Sequence, residues 1–172
     1  MRIPTALFAT LLFTLCGVSA LAADQVDSVL LADAGKAAAS IVIPDDPSPT
    51  VSAAAGDLRD YLAKITGAKF PIIVEGKVAT GMRLDVGPTQ VTRTLLPRDF
   101  ASDPERVWIQ THPQGVSLCG GGDPGTTFAV YQFLERLGCR WLTPKDEVVP
   151  KIGRLTVQPL RIDTRPGFVW RS

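Results

Sequence analysis

The sequence contains no asparagine, only one histidine and no marked excess of charge. Without asparagine there is no N-glycosylation sequon. The 18 basic and 17 acidic side chains are interspersed, so the chain lacks the basic patch of proteins that bind nucleic acid or anionic membranes. The lone His112 precedes a Pro-Gln-Gly turn, and we expect it to be solvated rather than catalytic. One histidine cannot supply a multi-histidine zinc site, so we predict neither a metal nor a nucleic-acid partner.

Residues 1–22 are predicted to be a cleaved export signal. Arg2 supplies a positive charge, an apolar run follows at residues 6–18, and an Ala-Leu-Ala site for signal peptidase comes next. The run is short for a membrane span. A lipoprotein signal at Cys16 is the weaker alternative, because a large leucine precedes it. We expect the mature chain in the periplasm or outside the cell, with no membrane anchor and no net charge.

About 150 residues remain after cleavage, enough for one domain with its own core, and we assign residues 23–160 to it. The mature chain contains two cysteines, Cys119 and Cys139. One is expected at the end of a strand and the other at the start of the strand after the intervening helix. In a right-handed β-α-β unit these points lie at opposite ends of the sheet, beyond the disulfide limit of about 7 Å. We therefore predict two buried free thiols.

Apolar periodicity predicts an α/β domain with a mixed sheet and about two main packing helices. The first helix has an apolar stripe over residues 51–65, a cap at Thr50 or Ser52 and a stop at Gly67. The second helix is expected over residues 125–137. The predicted strands are residues 28–31, 40–43, 70–74, 82–86, 107–111, 116–118, 139–142 and 155–157, with residues 89–106 mostly a connection.

The stretch CGGGDPGTTF has two opposed interpretations. Gly120, Gly122 and Gly125 have the spacing of a dinucleotide-binding turn, and Asp146 follows at about the distance of a ribose-binding acid. However, only 47 residues follow Gly125, too few for the remaining β-α units of a dinucleotide-binding fold. A phosphate-binding P-loop would need a lysine where Thr126 stands. These observations favour a structural turn.

We therefore predict a structural helix-start loop in this stretch. Its residues are Gly120, Gly121, Gly122, Asp123, Pro124 and Gly125. Asp123 is predicted to be the N-cap and Pro124 the first helical residue, while the glycines are predicted to permit positive φ. Because a capping aspartate would repel a phosphate, we expect no nucleotide or other cofactor.

Two segments around this loop resemble a known family. They are AAAGDLRDYLAKITGAKFPI at residues 53–72 and GVSLCGGGDPGTTFAVYQFLERLGCRWLTP at residues 115–144. Both are similar to the non-catalytic N-terminal domain of alpha-glucuronidases. Similar domains precede the catalytic barrels of beta-N-acetylhexosaminidases and alpha-N-acetylglucosaminidases. The resemblance covers nearly all of the mature chain and implies a beta-hexosaminidase N-terminal-domain-like fold in an exported glycoside hydrolase that degrades carbohydrate.

The last residues carry the same resemblance. Residues 161–172 are similar to the start of the linker into a catalytic (β/α)8 barrel, with Pro166, Phe168 and Arg171 at the matching positions. A barrel takes about 250 residues, so the 172 residues of this chain do not include one. The resemblance implies that the catalytic carboxylates belong to that barrel, and we expect no activity from this chain alone.

Two carboxylate pairs in the chain are predicted to be solvated surface charges. They are Asp57 with Asp60 on the first helix and Asp146 with Glu147 in a loop. Glycoside hydrolysis needs two carboxylates across a sugar cleft, whereas most carboxylates are simply exposed. The expected role of the chain is to dock onto the barrel, in cis or in trans, through residues 120–137. The second helix suits this role because it is apolar on more than one side.

A stand-alone exported carbohydrate-binding module is the alternative function. Aromatic faces can stack on sugar rings, so Trp108, Trp141 and Trp170 are candidates for binding an oligosaccharide. Trp108 and Trp141 lie in or beside predicted strands and are expected to pack in the core. Trp170 lies in the tail, and it is therefore the candidate contact for a sugar or a docked domain.

Overall fold

The computed structural model describes residues 28–77, 79, 81–143 and 146–165. The predicted export signal, including Cys16, lies outside the described residues, as do Trp170 and the last seven residues of the predicted linker. Among the helices of the described part, none has the length and hydropathy of a membrane-spanning segment.

The described chain consists of short strands and three α-helices. The strands are β1 (Val29–Asp33), β2 (Lys36–Ala37), β3 (Ala39–Ile43), β4 (Ile72–Val74), β5 (Met82–Val86), β6 (Val107–His112), β7 (Gly115–Gly120), β8 (Arg140–Trp141), β9 (Glu147–Val148), β10 (Arg154–Val157) and β11 (Arg161–Thr164). The helices are α1 (Pro49–Thr66), α2 (Gln90–Leu95) and α3 (Asp123–Arg136), with a 3₁₀ turn at Phe100–Ser102.

The largest sheet has six strands in the order β11-β6-β7-β5-β3-β4. Its strands β7, β5, β3 and β4 run parallel, whereas β6 is antiparallel to both of its neighbours. Strands β10, β1 and β2 form a small antiparallel sheet, and β8 pairs with β9 in a two-stranded ribbon. The predicted α/β fold with a mixed sheet and two main helices, α1 and α3, is confirmed.

The start of α1 differs from the predicted one. Ser48 is the N-cap, and its side chain accepts a hydrogen bond from the backbone N–H of Val51, the third residue of the helix. Thr50 and Ser52 lie inside the helix, so both predicted caps are wrong. The helix begins earlier because Pro49 has the φ of a helical residue and needs no partner for an N–H at this position. The predicted stop at Gly67 is confirmed by its φ of 74°.

The core lies between the six-stranded sheet and the two long helices. The apolar stripe of α1 is buried here, and so is one side of α3; their buried apolar residues are Val51, Ala54, Ala55, Leu58, Leu62, Ile65, Ala129, Val130, Phe133 and Leu134. Leu58 and Leu62 are fully buried, and burial of each such side chain contributes about 2 kcal/mol to stability.

The opposite face of this sheet carries polar side chains. Leu84 and Leu118 belong to the core, and alternation along the strands turns their neighbours Asp85 and Ser117 to the other face. Helix α2 covers part of this second face, where the Thr92 hydroxyl donates a hydrogen bond to the Ser117 hydroxyl oxygen at 3.1 Å. The six-stranded sheet is therefore buried on both sides over its central strands.

Two elements differ from the sequence predictions. Helix α2 lies within the predicted connection at residues 89–106, and its N-cap is Thr89. Strand β11 occupies the first four residues of the predicted linker and pairs with β6. Ile162 is the one buried residue of β11. One buried position cannot produce the alternation by which a strand is identified.

Both Cys119 and Cys139 are buried free thiols, as predicted. The reason that the two cysteines do not pair differs from the predicted one, because Cys139 leads into β8 of the separate ribbon rather than into the main sheet. Burial raises the pKa of the Cys119 thiol to about 12. Since the thiolate is the nucleophilic form, Cys119 is a packing residue at neutral pH.

Candidate docking surface

The helix-start loop depends on close approach of backbone segments. Gly120 ends β7 against the first turn of α3, and a Cβ there would overlap the backbone of Gly125 and Thr126. A Cβ on Gly121 would overlap the carbonyl group of Asp103. None of the glycines in this loop has a positive φ, so the predicted conformational reason is wrong. Glycine is required there because the neighbouring backbone leaves no room for a side chain.

The beginning of α3 also differs from the prediction. Gly122 is the N-cap and no side chain caps the helix, so Asp123 is its first residue and Pro124 its second. Because Asp123 already has helical geometry, its exposed carboxylate does not act as the predicted cap. Thr126 stabilises this junction instead: its Oγ1 accepts a hydrogen bond from the N–H of Gly120 at 3.0 Å and donates one to the carbonyl of Gly122 at 3.2 Å.

Several amides that a nucleotide site would present are already bonded. The N–H of Gly121 donates to the carbonyl of Arg106 at 2.9 Å, and that of Gly125 donates to the carbonyl of Pro104 at 3.2 Å. Both bonds connect the loop to the segment before β6 rather than leaving the amides free for a phosphate. No cluster of three metal-ligating side chains occurs in the part of the chain that the structure describes. This geometry favours the structural interpretation of the glycine motif.

A groove of about 450 Å³ lies between α3, the start of β6 and the end of β11. It is lined by Val107, Phe128, Tyr131, Gln132, Glu135, Thr164 and Arg165. Phe128 is 49% exposed, although an aromatic side chain on a helix of a small domain is ordinarily packed inside. We call this the α3 groove. Four of its seven lining residues belong to the predicted docking region at residues 120–137, but the sequence did not indicate which apolar residue of α3 remains exposed.

Ion pairs position the end of β11 beside the α3 groove. The Arg106 guanidinium donates two hydrogen bonds to the Asp163 carboxylate at 2.7 and 2.8 Å, and it lies 3.6 Å from Asp99. Arg165 lies 3.9 Å from Asp99 and 3.7 Å from Asp103. The hydrogen bonds from Arg106 hold the pKa of Asp163 below its ordinary value. Several charged contacts therefore hold the last described residues of the chain beside the α3 groove.

Trp108 packs inside the protein, as predicted. It is fully buried on the second face of the sheet, where its ring meets that of Phe100 edge to face with centroids 6.0 Å apart. The guanidinium of Arg161 lies 5.0 Å from the centre of the Trp108 ring. Trp108 therefore has no accessible face for a sugar, and Trp170 lies outside the described residues.

Trp141 is only partly buried, and it connects the β8–β9 ribbon to α1. Its indole N–H donates to the Tyr61 hydroxyl oxygen at 2.8 Å, and the Tyr61 hydroxyl donates to Glu147 at 2.6 Å. Lys64 donates to the same carboxylate at 2.7 Å. The hydrogen bonds from Lys64 and Tyr61 lower the pKa of Glu147, and the bond from Lys64 has the larger effect. Glu147, predicted to be freely solvated, is therefore exposed but engaged in attaching the ribbon to the helix.

The other candidate carboxylates also have structural partners. Asp60 is exposed and forms an ion pair with Arg59 at 2.8 Å. Asp146 is exposed and accepts a hydrogen bond within the turn to which it belongs. Both are surface charges, as predicted. Asp57 differs, because it is partly buried and accepts a hydrogen bond from the Tyr131 hydroxyl at 3.0 Å. Burial, together with this bond, raises the pKa of Tyr131 to about 12. The pair Asp57 and Tyr131 connects α1 to α3.

His112 is buried, and its predicted solvation is wrong. The hairpin turn directs its side chain onto the second face of the sheet, where 5% of it is exposed. Nδ1 accepts the N–H of Gln114 at 3.3 Å, and Nε2 lies 3.7 Å from Asp85. Asp85 is fully buried and accepts hydrogen bonds from Arg83 at 2.6 Å and Thr89 at 2.9 Å. The polar residues that alternate with apolar ones in β5 and β6 are the sequence signal that was missed.

The burial of His112 predicts a pH-dependent stability. Burial lowers the pKa of His112, and the Asp85 carboxylate only partly opposes this effect. The stability that depends on neutral His112 is therefore complete above about pH 6.5, the ordinary histidine pKa, and is lost as the pH falls through the pKa of the folded state. When urea unfolding is measured from about pH 7 down to about pH 5, the free energy of unfolding should fall below about pH 6.5, by at most about 1.4 kcal/mol per pH unit.

The variant His112→Gln is the control for this pH dependence. It should be nearly insensitive to pH over the same range, which lies above the ordinary pKa values of the carboxylates. Equal slopes for the variant and the unmodified chain would show that another group is responsible.

No protein-family model and no curated protein sequence matches the chain. Its fold, however, is similar to part of some solved glycoside hydrolases. The chain aligns with the N-acetyl-beta-hexosaminidase of Streptomyces plicatus in complex with Thio-NAglucal at 21% identity and a TM-score of 0.52, over 84% of this chain and 24% of the enzyme. It aligns with the GH20 beta-N-acetylhexosaminidase of Streptomyces coelicolor A3(2) at 22% identity and a TM-score of 0.52, over 84% and 25%.

The chain thus spans about a quarter of the length of each of these two enzymes. At this level of identity the comparison establishes the fold, and the predicted hexosaminidase-like α/β domain is confirmed.

Proposed function

We propose that the chain is the non-catalytic N-terminal accessory domain of an exported carbohydrate-degrading enzyme. Three observations support this function: the fold is similar to part of two beta-N-acetylhexosaminidases, two segments resemble the N-terminal domain of alpha-glucuronidases, and residues 1–22 have the pattern of an export signal. The partner is a catalytic barrel, in cis or in trans, in the periplasm or outside the cell.

The half-exposed Phe128 in the α3 groove is the observation that carries the proposal. Aromatic side chains are enriched in protein–protein interfaces relative to the rest of the surface, so an exposed aromatic ring in a groove suits a docking surface. Thr164 and Arg165 line the same groove and end the described chain. A domain that follows a short linker would therefore begin on this side of the molecule and could cover Phe128.

The engagement of the local carboxylates supports a non-catalytic role. Glu147 is bonded to Tyr61 and Lys64, and Asp57 to Tyr131, so these groups serve to connect structural elements. A glycosidase needs one carboxylate as acid and a second as nucleophile or base. In the proposed enzyme both come from the barrel, with an N-acetylhexosaminide or an aldouronic acid as substrate.

The proposal is tested first by reading the gene beyond the codon of Ser172 and by isolating the barrel encoded there or in a neighbouring gene. The chain alone should not hydrolyse an aryl N-acetylglucosaminide or an aldouronic acid, whereas the barrel with this domain should hydrolyse one of them. Phe128→Asp should weaken docking by at least about tenfold, because a charge would be buried unpaired in the interface. Arg154→Ala, which alters an exposed ion pair elsewhere, should leave docking unchanged.

Two results would contradict the proposal. Turnover of either substrate by the chain alone, lost on changing Glu147, would make the chain an enzyme. Millimolar or tighter binding of chitobiose or xylo-oligosaccharides by calorimetry, without any barrel partner, would instead support the carbohydrate-binding module.

A further inference from the structure

The side chain of His112 closes the turn between β6 and β7. His112 ends β6, and its Nδ1 accepts the backbone N–H of Gln114 at 3.3 Å. A ring nitrogen that accepts a hydrogen bond carries no proton, so the proton of the neutral ring lies on Nε2. Nε2 has no hydrogen-bond partner among the described residues and lies 3.7 Å from the Asp85 carboxylate. Nδ1 is therefore the nitrogen that gains a proton when His112 becomes charged.

The turn also forms part of a groove beside α2. The groove has a volume of about 380 Å³ and is lined by residues of α2, among them Val91 and Leu95, and by Pro113 and Gln114 of the turn. We call it the α2 groove. The carbonyl of Gln114 accepts the backbone N–H of Arg83 at 2.8 Å, so Gln114 connects the turn to β5 as well as to the histidine ring. A change in the bond to the ring therefore acts directly on the lining of the α2 groove.

Few charged groups act on His112 in its buried position. Burial has the largest effect on the pKa of His112 and lowers it, while Asp85 raises it and Arg83 lowers it. Both of these charged residues belong to β5. No side chain that α2 contributes to the α2 groove is charged, and Glu75, beside the start of α2, and Arg161, on β11, have contacts of their own. A charged His112 thus has one carboxylate nearby, which is already bonded to Arg83.

We propose that the β6–β7 turn is a pH-sensitive switch, closed while His112 is neutral and open when His112 is protonated. A proton on Nδ1 faces the N–H of Gln114, and two donors cannot form a hydrogen bond with each other. Because a buried charge without enough acceptors is costly, the imidazolium moves toward solvent and the turn moves with it. The α2 groove therefore changes shape at a pH below about 6.5, the ordinary histidine pKa. The switch does not depend on the proposed function, since all of its groups lie within this domain.

Nuclear magnetic resonance of the isotope-labelled chain tests the switch from about pH 7.5 down to about pH 5, a range that spans the ordinary histidine pKa. At the upper end, the ring of His112 should carry its proton on Nε2. As the pH falls, the amide signal of Gln114 should shift with the same midpoint as the ring. Hydrogen exchange at this amide, corrected for the intrinsic rate, should rise several-fold, and by at most about tenfold for each pH unit below about 6.5. Amides of β3 should not follow, because the opening is local.

His112→Asn is the matched control for the titration. The asparagine side-chain oxygen can replace Nδ1 as the acceptor of the Gln114 N–H but does not titrate, so exchange at Gln114 should lose its dependence on pH. The same dependence in this variant would assign the effect to another group and overturn the proposal. A proton on Nδ1 of the neutral ring, or exchange at Gln114 that ignores the titration of His112, would also overturn it.

The amides of β3 distinguish a local switch from loss of the whole fold. An equal rise of exchange at β3 and at Gln114 would mean that acid unfolds the domain globally, which would overturn the switch. None of these measurements involves a barrel or a sugar, so a failure here leaves the docking experiment of the proposed function unaffected. The unmodified chain alone decides between the outcomes if His112→Asn does not fold.

Discussion

Gly120→Ala is expected to destabilise the chain by at least about 3 kcal/mol, a large part of the 5–15 kcal/mol that stabilises a typical domain. The added Cβ would overlap the backbone at Gly125 and Thr126. Backbone atoms cannot move aside as the end of a flexible side chain can, so β7 and α3 would have to separate. The measurement is urea unfolding followed by circular dichroism, with the soluble yield as a second readout.

Gly56→Ala is the matched control for this change. Gly56 lies within α1, and a Cβ there meets nothing within 4 Å. Alanine is the better helix former, so this variant should be more stable by up to about 1 kcal/mol. If Gly120→Ala unfolded at the same urea concentration as the unmodified chain, close backbone approach would not be what requires glycine in the helix-start loop.

Asp85→Ala is expected to cost about 2–3 kcal/mol of stability. The Asp85 carboxylate is fully buried and bonded to Arg83 and Thr89, and it lies close to His112. Its removal would leave the partly buried Arg83 guanidinium without its partner, and the loss of one member of a buried ion pair is more costly than the pair's net contribution. The free energy of unfolding in urea at pH 7 measures this effect.

Two further variants test whether the buried charge of Asp85 causes this loss of stability. Asp85→Asn retains an oxygen that accepts a hydrogen bond from the Thr89 hydroxyl but carries no charge. Its stability should therefore lie between those of Asp85→Ala and the unmodified chain. Arg154→Ala breaks a surface ion pair with Asp33 and should cause little measurable change, as is usual for exposed pairs. Equal effects of Asp85→Ala and Arg154→Ala would show that the buried cluster contributes no more than a surface contact.

The long elements of the fold were predictable because each contains enough residues to show a period. Helix α1 has five turns and a buried stripe, and its stop at Gly67 follows from the positive φ that glycine adopts easily. Helix α2 and strand β11 have six and four residues. Elements of this length are selected by tertiary contacts rather than by local pattern, so the sequence alone did not identify them.

The position of the helix-start loop was predicted more reliably than the reason for its glycines. The helix-start loop and α3 lie where the sequence indicated, but glycine serves both positive φ and close approach, and only the structure distinguishes these uses. His112 and Asp85 were missed for a related reason. A polar residue next to a turn is ordinarily solvated, and α2, which lies beside His112, was itself not predicted from the sequence.

The two edges of the six-stranded sheet limit how copies of this chain can associate with each other. Edge strand β4 has three residues, and β11 has four, with Arg161 and Asp163 among them. Short or charged edges oppose the addition of a strand from another molecule, the usual route to aggregation through sheets. The backbone edges of the sheet are thereby protected from strand addition, so the docking proposed above would rely on side chains of the helical side.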